Sequence, residues 1–261
     1  MHLVIAVFAC SMAAYASPLA AGECIKQSPQ HRVALVELYT SEGCNSCPPA
    51  DRWMSAIDRG GYTADQLIPL SMHVDYWDQL GWKDRYADRR FSERQSLLSG
   101  LAKSRVVYTP EVFVNLREFR NWDSAAQFKQ ALRQINAVPA LADIRLELNI
   151  QSPAHTSLSL NASFQVKAAA LARQAQAFVV VYENKLTSDV KAGENRGVTL
   201  RHDYVVRHWI GPIDIHNNTA EYKATLALDR AWNAKNLGVA AWVQDIGSGN
   251  LLQATALPHC G

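Results

Sequence analysis

Two cysteines separated by two residues, Cys44-Asn45-Ser46-Cys47, carry the clearest chemistry in the chain. Disulfide exchange needs one nucleophilic thiolate and a second thiol close enough to resolve the mixed disulfide that forms. Pro48 and Pro49 follow directly. Proline is tolerated in the first turn of a helix, where the missing N–H would have had no partner. The pair is therefore expected at a helix N-terminus. There the unpaired N–H groups and the helix dipole favour a thiolate at Cys44, while Cys47, one turn on, is shielded and closes the ring. A structural disulfide is the plainer alternative. Asp51 lies four residues beyond Cys47, on the same helical face. A carboxylate there raises the Cys47 pKa; the plainer reading is a solvated helix charge. His73 and Asp75 end a strand and point to one side of it, where ligand sites collect in α/β sheets. The plainer reading packs His73 among Trp77 and Trp82.

The elements that must hold these groups alternate strand and helix from residue 32 to residue 136. Arg32 to Tyr39 is rich in Val and Leu and reads as a buried strand leading into the cysteines. Trp53, Met54 and Ile57 recur at helical spacing after them. Leu67 to Val74 reads as a second strand and Asp84 to Lys103 as a long polar helix. Glu111 to Asn115 is a third strand, Leu116 to Arg120 returns as a fourth, and Ser124 caps a helix running to Asn136. The order β-α-β-α-β-β-α is the thioredoxin order. From Ala142 onward short alternating runs are separated by turn residues such as Gly193-Glu194-Asn195-Arg196-Gly197, a pattern that indicates an all-β sandwich. The fold class expected is α/β: a thioredoxin-like domain over residues 30–137, then an all-β sandwich-like domain over 140–258, hinged at Val138-Pro139.

Within that order Thr109-Pro110, directly before the third strand, stands where thioredoxin-like folds set a cis-proline beside the cysteines. Pro110 is accordingly expected at the substrate contact, with the backbone of Thr109 open to a substrate chain; an ordinary trans turn proline is the alternative. Glu37 lies seven residues before Cys44 on the entering strand. Thioredoxins bury an acid near that place, which relays a proton to the resolving thiol, and the raised pKa of a buried Glu suits that work. A hydrogen-bonded carboxylate at a strand edge is an equal alternative.

Composition narrows the function. Hydrophobic residues make up 48% and charged residues 19%, as in a globular protein, and the net charge of +2 is too mild to suggest nucleic acid. No Gly-rich phosphate loop is present. Residues Leu3 to Ala14 are almost all apolar or small, and Ala14-Tyr15-Ala16 fits a small-x-small cleavage site. Residues 1–16 are therefore expected to be a signal peptide, placing the mature chain in the periplasm or outside the cell. No later segment has eighteen uninterrupted apolar residues, so no membrane attachment is expected after cleavage. Cys10 leaves with the signal, and Cys24, Cys44, Cys47 and Cys260 remain in an oxidising compartment. Four cysteines allow three connectivities; with Cys44 and Cys47 as the redox pair, Cys24 and Cys260 are left to pair as a structural disulfide.

The stretch from Val36 through Glu37-Leu38-Tyr39-Thr40-Ser41-Glu42-Gly43-Cys44 to Asp51 resembles the signature of a secreted bacterial thioredoxin-like family catalogued as a domain of unknown function. His73-Val74-Asp75-Tyr76-Trp77-Asp78, Tyr108-Thr109-Pro110 and Gly193-Glu194-Asn195-Arg196-Gly197 resemble its further blocks. The resemblance implies a thioredoxin fold, a β-rich C-terminal part and redox-type cysteines at Cys44 and Cys47. It implies no substrate. Leu116 departs from it, because a glycine is expected after Asn115 in the tight hairpin there. The reading that follows is a thiol–disulfide oxidoreductase acting on protein or small-molecule thiols and disulfides. Cys44 is the nucleophile, Cys47 the resolving thiol, Pro110 the substrate contact and Glu37 the proton relay. No cofactor or metal is expected, since the disulfide is itself the redox group, and the oligomeric state is left open. The alternatives are soft-metal (copper) binding through Cys44, Cys47 and His73, or an interaction module whose disulfide is structural.

Overall fold

The computed structural model describes residues 24–151, 156–245 and 247–258. The expected signal peptide and Cys260, and with it the proposed Cys24–Cys260 pairing, lie outside the described residues.

The chain forms β1 (Cys24–Gln27), β2 (Ala34–Thr40), α1 (Pro48–Ser55), β3 (Leu67–His73), α2 (Arg89–Leu101), β4 (Glu111–Val114), β5 (Arg117–Glu118) and α3 (Ala125–Asn136). There follow β6 (Ala142–Gln151), β7 (Ser157–Val166), the short α4 (Ala169–Ala172), β8 (Ala175–Glu183), β9 (Leu186–Asp189) and β10 (Thr199–His202). The last strands are β11 (Val205–Asp214), β12 (Thr219–Ala227), β13 (Leu237–Asp245) and β14 (Asn250–Leu257). The architecture is mixed α/β. One mixed sheet runs in the order β14-β13-β8-β11-β3-β2-β4-β5, and two separate antiparallel sheets run β1-β6-β7-β12 and β10-β9.

All seven residues of β2 are buried because the sheet is covered on both sides. Ala34, Val36 and Leu38 face α1 and α3, meeting Ala50, Met54, Phe128 and Leu132. Leu35 and Tyr39 face the other way, into a core shared with Phe91 and Leu98 of α2, and with Phe178 of β8 and Trp242 of β13. That core draws on both parts of the chain, and so does the sheet. Val205 of β11 pairs in parallel with Ser71 of β3, whose N–H donates to the Tyr204 carbonyl at 2.8 Å. The mixed sheet thus runs unbroken across the division near residue 140. On its other face, Val179 and Val181 of β8 and Val239 and Ala241 of β13 pack against Ile144, Leu146, Leu158 and Leu160 of the four-stranded sheet.

The helix expected from Asp84 begins at Arg89, because Asp88 caps it by accepting from the Arg90 N–H. The residues before it form a loop around the Asp84 carboxylate. The alternating stretch from Thr199 to Trp209, which reads as one run in the sequence, forms two strands, β10 and β11, which part at Asp203 and Tyr204, where Tyr204 takes φ 58°.

The hairpin at Leu116 forms without glycine. Asn115 and Leu116 both adopt left-handed backbone (φ 48° and 65°), and Val114 pairs with Arg117 across this two-residue turn. Leucine is held in that conformation because its side chain is buried in the α2-side core, with 1% exposed. Leu116→Gly would relieve a left-handed penalty of about 1–2 kcal/mol and forfeit a buried leucine worth about 2–5 kcal/mol. The glycine variant should therefore unfold at lower urea concentration than the wild type, although the turn itself prefers glycine.

Candidate active site

β2 delivers the chain to the cysteines. After Thr40 a turn forms in which the Cys44 N–H donates to the Ser41 carbonyl at 3.2 Å and the Gly43 N–H to Ser41 Oγ at 3.1 Å. Trp77 packs so closely over Gly43 that a Cβ there would lie 3.2 Å from the Trp77 Cβ. Cys47 is the N-cap of α1, with the prolines at its first positions. Cys44 and Cys47 are joined as a disulfide, their Cα atoms 5.5 Å apart. Neither cysteine has any exposed surface, whereas Asn45 and Ser46 between them are exposed.

Thr109-Pro110 is a cis peptide, and the Thr109 carbonyl oxygen lies 3.8 Å from Cys44 Sγ. The Ser46 hydroxyl stands 3.2 Å from the same sulfur and 3.4 Å from that carbonyl. Trp77 Nε1 fixes Thr109 by donating to its Oγ1 at 2.8 Å. Gln95 of α2 fixes the neighbouring backbone, donating at 2.7 Å to the Tyr108 carbonyl and to Glu111 Oε2. The fold thus brings Cys44, Cys47 and Thr109-Pro110 together.

Glu37 is not with them. It lies on the face of β2 opposite α1, where Arg94 of α2 holds Oε1 at 2.5 Å and the Tyr39 hydroxyl donates to Oε2 at 2.8 Å. The buried acid on the cysteine side of the sheet is Asp51 of α1, 5% exposed and accepting from Thr40 Oγ1 at 2.9 Å.

Asp51 belongs to a buried cluster that the sequence reading did not assemble. His73 Nδ1 is 2.6 Å from Asp84 Oδ2, with neither side chain exposed. Asp84 also accepts from the Glu42 and Tyr86 N–H groups, at 2.8 and 2.9 Å. Trp82 Nε1 donates to Glu42 Oε2 at 2.8 Å. His202, from the β9–β10 hairpin, enters between two carboxylates. Its Nε2 is 3.4 Å from Glu42 Oε1 and its Nδ1 is 4.0 Å from Asp51 Oδ2. Its ring meets that of His73 edge-on, with centroids 4.9 Å apart. Burial opposes charge on His73, but the Asp84 carboxylate more than offsets it, so the imidazole titrates above its usual value. Burial likewise pushes Asp84 up, and His73 with the two N–H donors outweighs it, holding the carboxyl below its usual range. The two shifts agree on a charged pair. Asp51 is pushed up by burial, which its neighbours do not offset.

The same hairpin straps the cysteine turn. Asn195 Nδ2 donates to the carbonyls of Glu42 and Cys44, both at 2.9 Å, and Glu194 Oε2 accepts from the exposed Asn45 N–H at 3.0 Å. In the sequence Gly193 to Gly197 reads as a turn and as a block resembling the family, with no contact to the cysteines assigned to it. The turn is real, with Gly193 and Gly197 at φ 70° and 84°, and its Asn195 is buried while Glu194 and Arg196 stay exposed.

Glu111, next to Pro110, has no exposed surface, and burial pushes its carboxyl up to about 7 despite hydrogen bonds from Gln95 and Ser99. A carboxyl whose folded pKa exceeds its unfolded value stabilises the fold most below the unfolded pKa, and that stability is lost as pH rises through about 7. Glu111→Gln, which mimics the protonated acid, should flatten the decline in urea stability between pH 5 and 8 measured for the wild type. An unchanged slope would remove Glu111 as its source.

Among the described residues, no group of three or more His, Cys, Asp or Glu side chains is placed to hold a metal ion, and no helix is long and apolar enough to cross a membrane.

Two solved structures resemble the chain. Protein AGR_C_4864 from Agrobacterium tumefaciens superposes with a TM-score of 0.59 at 23% identity, over 88% of this chain and 96% of that one. HBP35 of Porphyromonas gingivalis gives a TM-score of 0.67 at 15% identity, over 88% of this chain and 76% of that one. At such identities the likeness concerns the fold alone. No curated protein matches. The family described as "Protein of unknown function (DUF1223)" matches residues 35–244, which include both cysteines, the Thr109-Pro110 turn, the buried histidines and the strap, and the chain belongs to that family.

Proposed function

We propose that this protein is a thiol–disulfide oxidoreductase, exported to the periplasm or beyond, whose redox unit is thioredoxin-like and whose β-sandwich-like part covers the cysteines. The observation that carries the reading is the Cys44–Cys47 disulfide directly before α1, with the Thr109 carbonyl 3.8 Å from Cys44 Sγ. An external thiolate attacks Cys44 Sγ, a mixed disulfide forms there, and the electron pair of the broken bond leaves on Cys47 Sγ. A second thiol then releases Cys44, so that two external thiols become a disulfide as Cys44 and Cys47 become thiols. The N-terminal end of the α1 dipole favours negative charge on the sulfurs; Pro48 and Pro49 supply no N–H there, and those of Ala50 and Asp51 donate to the Cys47 carbonyl. The half-buried Thr109 beside Cys44 offers a substrate chain a backbone partner once the Ser46 hydroxyl releases its carbonyl. The substrates are protein or small-molecule thiols and disulfides.

A structural disulfide in an interaction module is the second reading, and the complete burial of both sulfurs favours it. A soft-metal site has less support, since His73 Nδ1 is engaged by Asp84.

Single-cysteine variants separate the first two readings. With a protein disulfide as substrate, reduced Cys47→Ser should accumulate a mixed disulfide through Cys44, and Cys44→Ser should form none. Equal trapping, or no trapping, by both variants would contradict the assigned roles.

A further inference from the structure

His202 differs from the other groups of the buried cluster. His73 is bonded to Asp84, Asp84 to two backbone N–H groups, and Glu42 to Trp82. Both nitrogens of His202 are buried and make no hydrogen bond among the described residues, as is also true of Asp51 Oδ2 and Glu42 Oε1 facing them. Buried polar atoms are ordinarily paired, so five-membered rings left this way call for an account. An imidazole in this setting can change its protonation state without breaking a bond, and an acidic side chain faces each of its nitrogens. Asp51 in turn lies one helical turn beyond Cys47, at the i,i+4 spacing that sets side chains about 5–6 Å apart at Cβ.

We infer that His202, acting through Asp51, supplies and recovers the proton of Cys47 during disulfide exchange. The inference rests on the redox reading given above. When the Cys44–Cys47 bond breaks, the electron pair arrives on a sulfur with no exposed surface, where an unprotonated thiolate is costly. The Asp51 carboxyl gives its proton to Cys47 Sγ, and the imidazolium at Nδ1 returns one to Asp51. The proton lost by the attacking thiol restores His202, so charge and protons balance over the cycle. In the reverse direction the same path removes the Cys47 proton and generates the thiolate that resolves a mixed disulfide. His202 is here a positioning residue and proton store, since it meets the sulfur only through Asp51. It comes from the β9–β10 hairpin, so the segment attached after the redox unit completes that unit's proton path.

The charged and titratable groups around His202 are Glu42 from the turn after β2, Asp51 from α1, and His73 from β3 with its partner Asp84. Tyr86 is also present, its ring centroid 5.8 Å from that of His202, with the guanidinium groups of Arg85 and Arg207 each 5.1 Å from the Tyr86 ring. His73 and Asp84 neutralise one another, which leaves Glu42 and Asp51 as the acidic groups facing the His202 nitrogens.

The test follows the full mature protein. Reduction by dithiothreitol is timed by stopped flow from pH 5 to 9 for the wild type, His202→Gln, Asp51→Asn and the double variant. At each pH, dividing wild-type rates by variant rates removes the ionisation of the reductant. The ratio should fall as pH rises, with the variants slower by about a hundredfold at the acid end, as expected for loss of a general acid. The double variant should be no slower than the slower single one. In parallel, nitrogen NMR of His202 in wild-type protein should give titrations that differ between the oxidised and reduced states by about half a unit or more, because coupled groups shift one another. This second readout decides the matter if a variant does not fold. A flat rate ratio, or identical His202 titrations in the two redox states, would overturn the inference while leaving the redox reading intact. A wild-type disulfide that dithiothreitol does not reduce would remove both, and is distinguishable because it appears before any variant is made.

Discussion

Replacing Arg94 with methionine should lower the stability of the protein by about 3–5 kcal/mol, the range expected when one partner of a buried ion pair is removed and the other charge is left behind. Arg94 is 6% exposed and Glu37 not at all. Their 2.5 Å contact crosses from α2 to the central strand β2, and a further bond at 3.1 Å reaches Gln244 on β13. The guanidinium also lies over three aromatic rings, 5.5 Å from Phe178, 5.3 Å from Trp209 and 5.1 Å from Trp242. Burial opposes its charge, and the Glu37 carboxylate outweighs burial, so its pKa stands above the ordinary value. One side chain thus ties the cysteine-bearing half of the mixed sheet to the half that follows residue 140. Urea unfolding should show the loss as a single cooperative transition moved to lower denaturant. A Glu37→Gln/Arg94→Met double variant should recover part of it, because no bare charge remains. A loss below about 1 kcal/mol, the size of a surface pair, would mean that the cluster is not a strong link.

Asn195→Ala should speed reduction of the Cys44–Cys47 disulfide by about tenfold or more. Both sulfurs lack exposed surface, so an attacking thiol reaches Cys44 only after the turn has opened. Rates through such an opening follow its free energy. Asn195 itself is 5% exposed and holds the turn by two bonds of 2.9 Å, to the carbonyls flanking Gly43. Leaving buried carbonyls without donors costs about 1–3 kcal/mol each, and each 1.4 kcal/mol or so removed from the opening step is worth about a factor of ten. Glu194→Gln should act in the same direction and more weakly, since its partner Asn45 is exposed. The measurement is stopped-flow reduction by dithiothreitol at fixed pH, with melting temperature as a control. Unchanged rates in a folded Asn195→Ala variant would show that access to Cys44 runs on another side of the turn.

Some of this arrangement is legible in the residues and some is not, for identifiable reasons. The start of α1 is written locally, by two prolines after a cysteine that needs no side-chain cap. The strand before it is written by its unbroken Val and Leu run, which fits burial on both faces. β14 is harder to see because Gln253 interrupts its apolar run. That side chain is fully buried, donating to the carbonyls of Pro29 and His31 and accepting from the Val33 N–H. β1 and β9 are four residues each and exist through pairing with β6 and β10, a partnership that no local pattern announces. The break at Tyr204 separates a hairpin that serves the cysteines from a strand that joins the central sheet, and neither destination can be read from alternation. Glu37 illustrates the limit for sites. Its distance along the strand from Cys44 is legible, but the face it presents depends on register, and its partner Arg94 lies 57 residues away in sequence. Asn195 and His202 are further still from the cysteines along the chain. Only the path of the β9–β10 hairpin brings them there.

The central claim is that Cys44 and Cys47 form a working redox couple, and a redox titration tests it most directly. The mature protein is equilibrated in glutathione buffers, free thiols are trapped by alkylation, and mass spectrometry reads the Cys44 and Cys47 peptides. The account predicts a midpoint within the span of known exchange proteins, about −270 to −120 mV. A pair that stays oxidised below about −300 mV would be a structural disulfide, and would contradict the account.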